Sequence, residues 1–91
     1  MNILITGGKG FIGSHLVPKL KSVELETRIF DKVYREDILD SFSLTVAISK
    51  ADVIYHLAAK INVRESFLIP HEYYHVNVGG TLNVLSECIR Q

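Results

Sequence analysis

Short apolar runs alternate along this chain with stretches in which apolar residues recur at helical spacing. The runs are rich in apolar, β-branched and aromatic side chains and predict strands over residues 2–6, 27–31, 34–38 and 52–57. The intervening stretches predict helices over about 11–21, 41–50 and 70–90, with a helical turn near 65–66. Such alternation is typical of an α/β protein whose parallel sheet is covered by helices on both faces.

Individual residues mark where these helices begin, bend and pack. Asp40 is expected to cap the second helix, and Pro70 to begin the last one. Pro18 lies inside the first helix, where its missing N–H should kink or loosen the chain. The last helix carries apolar residues at spacings of four and three, which predict its buried face: Val78, Leu82, Leu85 and Ile89.

A glycine-rich turn, TGGKGFIG at residues 6–13, joins the first strand to the first helix. Gly7 permits a sharp turn, Gly10 lets a pyrophosphate approach the backbone, and Gly13 lets the helix lie close to the strand. The N-terminus of the helix then offers free N–H groups and partial positive charge to phosphates. The pattern predicts a dinucleotide site, and the alternative is a tight turn without a ligand.

An acidic residue, Asp31, ends the second strand 18 positions after Gly13. A carboxylate at this place would accept hydrogen bonds from the adenosine ribose and repel a 2′-phosphate, which favours NAD over NADP. Lys32 weakens that preference, because its ammonium could meet a phosphate. The expected fold is a Rossmann-type sheet of strand order 3-2-1-4, with the ligand between strands 1 and 4.

Composition limits the class of protein further. The 91 residues allow one domain at most, and the ten basic and ten acidic residues give no argument for nucleic acid or an anionic membrane. No apolar run is long enough for a membrane span, and the N-terminus carries no secretory pattern. The single cysteine, Cys88, fits a reducing cytoplasm and is predicted to be a small core residue.

A second motif, H-E-x-x-H from His71 to His75, matches the helix of zinc metalloproteases. Two histidines at this spacing can share one metal ion. No third ligand follows at a familiar spacing, so we expect no metal there. His15 and His56 stand alone in the sequence and are expected to be packed rather than ligating.

The motifs together resemble the extended short-chain dehydrogenase/reductases. Within that family the chain is most similar to the NAD-dependent sugar-nucleotide epimerases and dehydratases, and among these to the UDP-glucose 4-epimerases. The resemblance covers the whole chain and rests on TGGKGFIGSHL, the pair Asp37-Ile38, DVIYHLAA at 52–59 and PHEYYHVNVGGT at 70–81. It implies that residues 1–91 are the N-terminal part of an NAD-binding Rossmann domain, without a second domain.

The resemblance also implies which residues contact the cofactor. Asp37 would bind the adenine amine while Ile38 packs near the ring, and Asn77 would support the cofactor and the central strand. The small Ala58 and Ala59 would let the backbone pass close to the phosphates and the nicotinamide ribose. The full predicted set is Gly7, Gly10, Phe11, Ile12, Gly13, Asp31, Lys32, Asp37, Ile38, Leu57, Ala58, Ala59 and Asn77.

One family position differs in this chain. The related epimerases often carry a lysine in the loop after strand 4 that reaches the cofactor. Here Ile61 has that position and Lys60 precedes it. Lys60 is either a substitute for the family lysine or an ordinary surface lysine.

The family's catalytic pair, Tyr-x-x-x-Lys, is missing from these residues. None of the four tyrosines has a lysine four positions later. The chain is therefore expected to bind NAD, or the adenosine half of NAD, and to be inactive alone. The alternatives are a freestanding, non-catalytic module for adenosine nucleotides and a truncated remnant. Because strand 4 would have a bare apolar edge, self-association through that edge is also predicted.

Overall fold

Three parallel strands form the centre of the protein. The structure, a computed structural model, describes all residues from Met1 to Gln91. The strands are β1 (Asn2–Thr6), β2 (Glu26–Phe30) and β3 (Val53–His56), and their order in the sheet is β2-β1-β3. In the register of the sheet, Ile3 lies opposite Thr27 on one side and Val53 on the other. The predicted α/β fold is confirmed, as is the order of these three strands.

Five α-helices and two shorter helical segments complete the chain. The helices are α1 (Phe11–Ser22), α2 (Ser41–Ser49), α3 (Val63–Leu68), α4 (Pro70–Tyr74) and α5 (Gly80–Arg90). A 3-10 turn spans Lys32–Tyr34, and a π-helical segment, His75–Gly79, joins α4 to α5. No helix is long and apolar enough to cross a membrane.

Several predicted helix signals are confirmed. Asp40 caps α2 by accepting hydrogen bonds from the N–H groups of Phe42 and Ser43, at 3.1 and 3.4 Å. The Ser43 hydroxyl also donates to this carboxylate, and these bonds lower the pKa of Asp40. Pro70 begins α4 as expected. Helix α1 continues through Pro18 and ends at Ser22, one residue beyond its predicted end.

The predicted strand over residues 34–38 is wrong, so the sheet has three strands rather than four. Local hydrogen bonds replace the strand ladder, because the Asp31 carboxylate accepts the Val33 N–H and Glu36 accepts the Asp31 N–H. Arg35 then adopts a left-handed conformation with φ of 61°. The apolar signal came from Ile38, which is buried by packing against the core rather than by pairing.

Alternate residues of β1 reach two separate cores. Leu4 packs on one face with Phe30, Leu44 and Val84, under helices α2 and α5. Ile3 and Ile5 pack on the other face with Val17 of α1. Because side chains alternate along a strand, this arrangement explains why β1 is apolar at every one of these positions.

The face of the last helix predicted to be buried is exposed. Leu82 and Leu85 are 57% and 53% exposed, Val78 and Ile89 are exposed too, and the buried residues are Gly80, Val84 and Glu87. The helix packs on the core through Val84 and through Gly80, whose missing side chain lets the helix lie against Ile38, and these residues lie on the side of the helix opposite the apolar stripe. Cys88, predicted as a core residue, follows the buried Glu87 and is exposed.

Candidate functional site

A cavity of about 390 Å³ lies at the carboxyl ends of the three strands. Its volume falls within the range of small-molecule sites, and its position is the switch point where ligands of open α/β sheets bind. Every predicted cofactor residue except Asn77 lies in its wall. The wall also contains Lys60 and Ile61, which lie in the loop where related epimerases carry a lysine, and three residues for which no motif gave a signal: Phe30, Glu36 and Val76.

The glycine turn forms one side of this cavity. Gly7 has a φ of 68°, and a Cβ added there would lie 2.7 Å from the backbone nitrogen of Ala58. A Cβ on Gly13 would lie 2.5 Å from the carbonyl oxygen of Gly8. Both glycines are therefore required by packing within the chain itself, whether or not a ligand is present.

Gly10 is different, because packing within the chain explains its missing side chain only in part. A Cβ added there would approach a single atom, the Gly7 carbonyl oxygen, at 3.3 Å. Its φ of −76° and ψ of −174° suit any residue. The missing side chain instead leaves space in the cavity wall beside the N-terminus of α1.

That N-terminus is free to bind an anion. Gly10 is the N-cap of α1 and supplies no side-chain hydrogen bond, and the first turn contains no acidic residue. The first N–H groups of a helix lack partners within the helix and carry partial positive charge. Phe11, Ile12 and Gly13, which contribute these groups, all lie in the cavity wall.

Asp31 faces the turn from the end of β2. Its carboxylate accepts the Lys9 N–H at 2.9 Å and the Val33 N–H at 3.0 Å. An ionised carboxylate has about four acceptor positions, so two are left for other donors. Asp31 thus fixes the glycine turn to β2 and can still accept hydrogen bonds from a ligand in the cavity.

Asp37 and Lys32 lie at the same end of the cavity and pair with each other. The Lys32 ammonium is 4.0 Å from the Asp37 carboxylate, and the two side chains are 72% and 41% exposed. The other carboxylate oxygen of Asp37 accepts the Leu39 N–H at 2.9 Å. An exposed pair at this distance is worth little, so a ligand can displace it at small cost.

Asn77 lies outside the cavity wall but holds a wall residue in place. Its side-chain oxygen accepts the Lys60 N–H at 2.8 Å, and its side-chain nitrogen donates to the Lys60 carbonyl at 3.0 Å. Asn77 belongs to the π-helical segment, and such segments are frequent at functional sites. The amide therefore shapes the cavity through the loop that follows β3.

The ammonium group of Lys60 is held by acidic neighbours. It lies 3.6 Å from Glu65 and 3.7 Å from Glu72. Tyr73 donates its hydroxyl to Glu65 at 3.0 Å, and its pKa is raised by loss of solvent and by this carboxylate. In this structure Lys60 thus belongs to an ion-pair group of α3 and α4, while other atoms of the residue line the cavity.

The H-E-x-x-H motif lies across α4 and the start of the π-helical segment, and neither of its histidines is in the wall of this cavity. Both of its histidines, His71 and His75, are exposed. No cluster of three or more His, Cys, Asp or Glu side chains is placed to hold a metal ion.

Comparison with known proteins identifies a protein family that matches this chain. The family described as NAD dependent epimerase/dehydratase matches residues 3–91. UDP-glucose 4-epimerase of Haemophilus influenzae is 34% identical over 110 residues, which cover 96% of this chain and 32% of that protein. The chain thus spans about a third of the length of such relatives.

Solved structures agree with the sequence match. UDP-glucose 4-epimerase of Thermotoga maritima, solved with UDP-glucose, superposes with a TM-score of 0.93 at 31% identity, over 99% of this chain and 34% of that one. The Thermus thermophilus enzyme, solved as a complex with NAD, has a TM-score of 0.88 at 32% identity, over 97% and 33%. The family match across nearly the whole chain shows that this protein belongs to the NAD-dependent epimerase/dehydratase family.

Proposed function

We propose that this chain binds NAD in the cavity at the carboxyl edge of the sheet, as the NAD-binding segment of a sugar-nucleotide epimerase or dehydratase of UDP-glucose 4-epimerase type. The observation that carries the proposal is Gly10. Packing within the chain requires Gly7 and Gly13, whereas a Cβ on Gly10 would meet only one backbone oxygen, at 3.3 Å, which a small shift relieves. A pyrophosphate lying against the backbone at the uncapped N-terminus of α1 supplies a stronger reason for the missing side chain of Gly10.

The remaining wall residues suit the two ends of the dinucleotide. On the adenosine side, the free acceptor positions of Asp31 suit ribose hydroxyls, and Asp37 suits the adenine amine with Ile38 beneath the ring. A 2′-phosphate would be repelled by Asp31, which supports NAD over NADP. On the nicotinamide side, Leu57 presents an apolar side chain, and Ala58 and Ala59 present short side chains that leave the backbone accessible.

In this proposal the chain supplies binding and orientation. Bound NAD supplies a hydride acceptor, and the relatives named as epimerases act on sugar nucleotides. None of the four tyrosines here has the family's lysine four positions later. We therefore expect no epimerase activity from these 91 residues alone. A cytoplasmic location belongs to the same proposal and is supported by the single cysteine.

A matched pair of glycine substitutions tests the proposal. Gly10→Ala places a methyl group in the cavity while meeting only one atom of the chain, at 3.3 Å. Gly79→Ala is the control, because its added Cβ makes an ordinary contact of 3.5 Å with His75, outside the cavity wall. We expect Gly10→Ala to weaken NAD binding about tenfold or more while both variants unfold within about 1 kcal/mol of the parent.

Titration calorimetry with NAD, NADP and AMP on the parent and both variants measures this. Binding of NAD that Gly10→Ala does not weaken would contradict the proposed position of the pyrophosphate. Equal affinity for NAD and NADP would contradict the role of Asp31. Binding of AMP as tight as that of NAD favours the alternative of a freestanding adenosine-nucleotide module. Absence of binding by all three ligands favours a remnant.

A further inference from the structure

A partly buried chain of hydrogen bonds lies beside the loop that forms the nicotinamide side of the cavity. Its centre is His56, the last residue of β3, which is half-buried between β1 and α5. The Nδ1 atom of His56 lies 2.6 Å from the hydroxyl of Thr6, and the Nε2 atom lies 3.1 Å from the hydroxyl of Thr81. Other hydrogen bonds fix the direction in which each of these two hydroxyl groups points its proton.

The Thr6 end of the chain determines which ring nitrogen carries the proton. A hydroxyl has one donor and two acceptor positions. The Thr6 oxygen already accepts the N–H groups of Leu57 and Ala58, at 3.0 and 3.2 Å. Its own proton must therefore point to Nδ1 of His56, which has to be unprotonated in order to accept it.

The Thr81 end gives the same answer. The Thr81 hydroxyl donates its proton to the backbone carbonyl of Asn77 at 2.6 Å. Its oxygen is then an acceptor for His56, so Nε2 carries the hydrogen. Both ends together select the neutral imidazole with its hydrogen on Nε2. Burial also favours the neutral ring, because it lowers the pKa of His56.

We propose that His56 is a positioning residue for the NAD site, and that protonation of its ring weakens the hydrogen bond that holds Ala58 beside the glycine turn and thereby weakens cofactor binding. A second ring proton would turn a donor toward the Thr6 oxygen and leave the Thr6 hydroxyl proton without an acceptor. Thr6 has no exposed surface, so water cannot take over this bond. Three N–H groups would then share the two acceptor positions of that oxygen. The Leu57 N–H has a second acceptor in the Thr6 carbonyl at 3.0 Å, whereas the Ala58 N–H has none.

The consequence reaches the glycine turn because Ala58 packs on Gly7. A Cβ added to Gly7 would lie 2.7 Å from the Ala58 nitrogen, so the two backbones are in close contact. Weakening the Ala58 N–H bond therefore loosens this part of the cavity wall. This inference rests on the proposed function, since it concerns the site at which NAD would bind.

Other titratable groups around His56 do not account for the effect. Strand β1 has no ionisable side chain, and the ionisable residues of α5, Glu87, Cys88 and Arg90, lie more than a helical turn beyond Thr81. On the segment before α5, His75 is exposed. His15 is also exposed and packs edge-on against Phe11 in the cavity wall, with ring centroids 5.1 Å apart, so it requires a control.

Stability should follow the same titration. Unfolded His56 takes up a proton near its ordinary pKa of 6.5, whereas the native ring takes it up at lower pH. Stability is therefore full above pH 6.5, falls as pH decreases below this value, and levels off below the native pKa. An unchanged free energy of unfolding across this window would contradict the assignment.

Two substitutions of His56 each keep one of its hydrogen bonds and remove the other, so that the roles of Thr6 and Thr81 can be measured separately. In His56→Asn the side-chain oxygen can replace Nδ1 as acceptor for Thr6 and does not titrate. In His56→Gln the amide nitrogen can replace Nε2 as donor to Thr81, but Thr6 loses its acceptor at every pH. We expect the NAD affinity of the parent to fall about tenfold as the pH decreases from above 6.5 to below the lowered pKa of native His56. His56→Asn should remain nearly constant, and His56→Gln should be weak throughout.

Calorimetric titration of NAD against pH measures these affinities, with His15→Gln and His71→Gln as controls that should keep the parent's pH dependence. NAD binding that is independent of pH in the parent, or equally dependent in His56→Asn, would overturn this inference and leave the proposed function intact. Absence of NAD binding at every pH would instead contradict the proposed function.

A measurement without NAD tests the hydrogen bonds of His56 themselves. Nitrogen-15 NMR of the free protein should show His56 as the Nε2–H tautomer at neutral pH. The Ala58 amide should exchange slowly at neutral pH and lose protection as His56 protonates. An Nδ1–H tautomer, or protection of Ala58 that is unaffected by His56 protonation, would overturn the inference.

Discussion

The glycine turn and helix α5 are both made largely of small and apolar residues, yet they differ in what holds them. The turn is fixed on several sides: the Gly7 N–H donates to Phe30 at 2.8 Å, and Asp31 accepts the Lys9 N–H. Helix α5 packs on the core through Val84 and exposes Leu82 and Leu85. An apolar pattern at helical spacing thus shows that α5 has an apolar face but not whether that face is buried. The hydrogen bonds and close contacts of the glycine turn show directly how that segment is held.

The largest expected effect comes from the turn. Gly7→Ala forces an alanine into a φ of 68° and places its Cβ 2.7 Å from the Ala58 backbone, which cannot yield as a side chain could. We expect the free energy of unfolding to fall by about 2–4 kcal/mol. Urea denaturation measures it, with Gly79→Ala as the control that should change little. A loss below about 1 kcal/mol would show that the turn is not as constrained as these contacts indicate.

The effect of intermediate size is a difference in stability between substitutions on the buried and on the exposed face of α5. Val84 is 4% exposed and packs in the core, so Val84→Ala should cost about 1–3 kcal/mol. Leu85, the next residue, is 53% exposed, and Leu85→Lys should change stability by less than about 0.5 kcal/mol. The same denaturation experiment compares them. Equal losses would mean that the exposed stripe is covered by another part of the protein or by a second copy.

The smallest expected effect concerns association between chains. The outer edge of β3 has no neighbouring strand, and Tyr55 on this strand is 39% exposed. We predict concentration-dependent self-association that Tyr55→Lys weakens by about 1 kcal/mol, since a lysine on an edge strand opposes pairing. Tyr74→Lys on α4 is the control. Sedimentation showing a monomer at all concentrations would contradict edge pairing.

Local chemistry explains which features the sequence predicted. The spacing of Gly7, Gly10 and Gly13, followed by Asp31, predicted a wall that the folded chain does bring together. The cap at Asp40 was predictable because an aspartate and the two N–H groups it accepts lie within a few residues. In each case the constraint is short-range, so residue type and spacing are sufficient.

The predictions from the sequence are wrong where contacts that the pattern of apolar residues does not show determine the structure of a segment. Residues 34–38 contain Tyr34 and Ile38 and read as a strand, but the side chains of Asp31 and Glu36 satisfy the backbone locally. The stripe of the last helix is exposed because Gly80 and Val84 hold the opposite side of the helix on the core, and periodicity alone does not reveal those contacts. The hydrogen bonds of His56 were also unforeseen, since its partners lie 50 and 25 positions away.

The most direct test of NAD binding at the glycine turn is a titration followed by amide NMR. We predict that NAD shifts the amide signals of Gly10 to Gly13 and of Asp31, while the signals of Leu82 and Leu85 on the exposed face of α5 stay unchanged. Gly10→Ala should reduce these shifts at equal NAD concentration. Shifts centred on α5, or none at the glycine turn at millimolar NAD, would contradict the account.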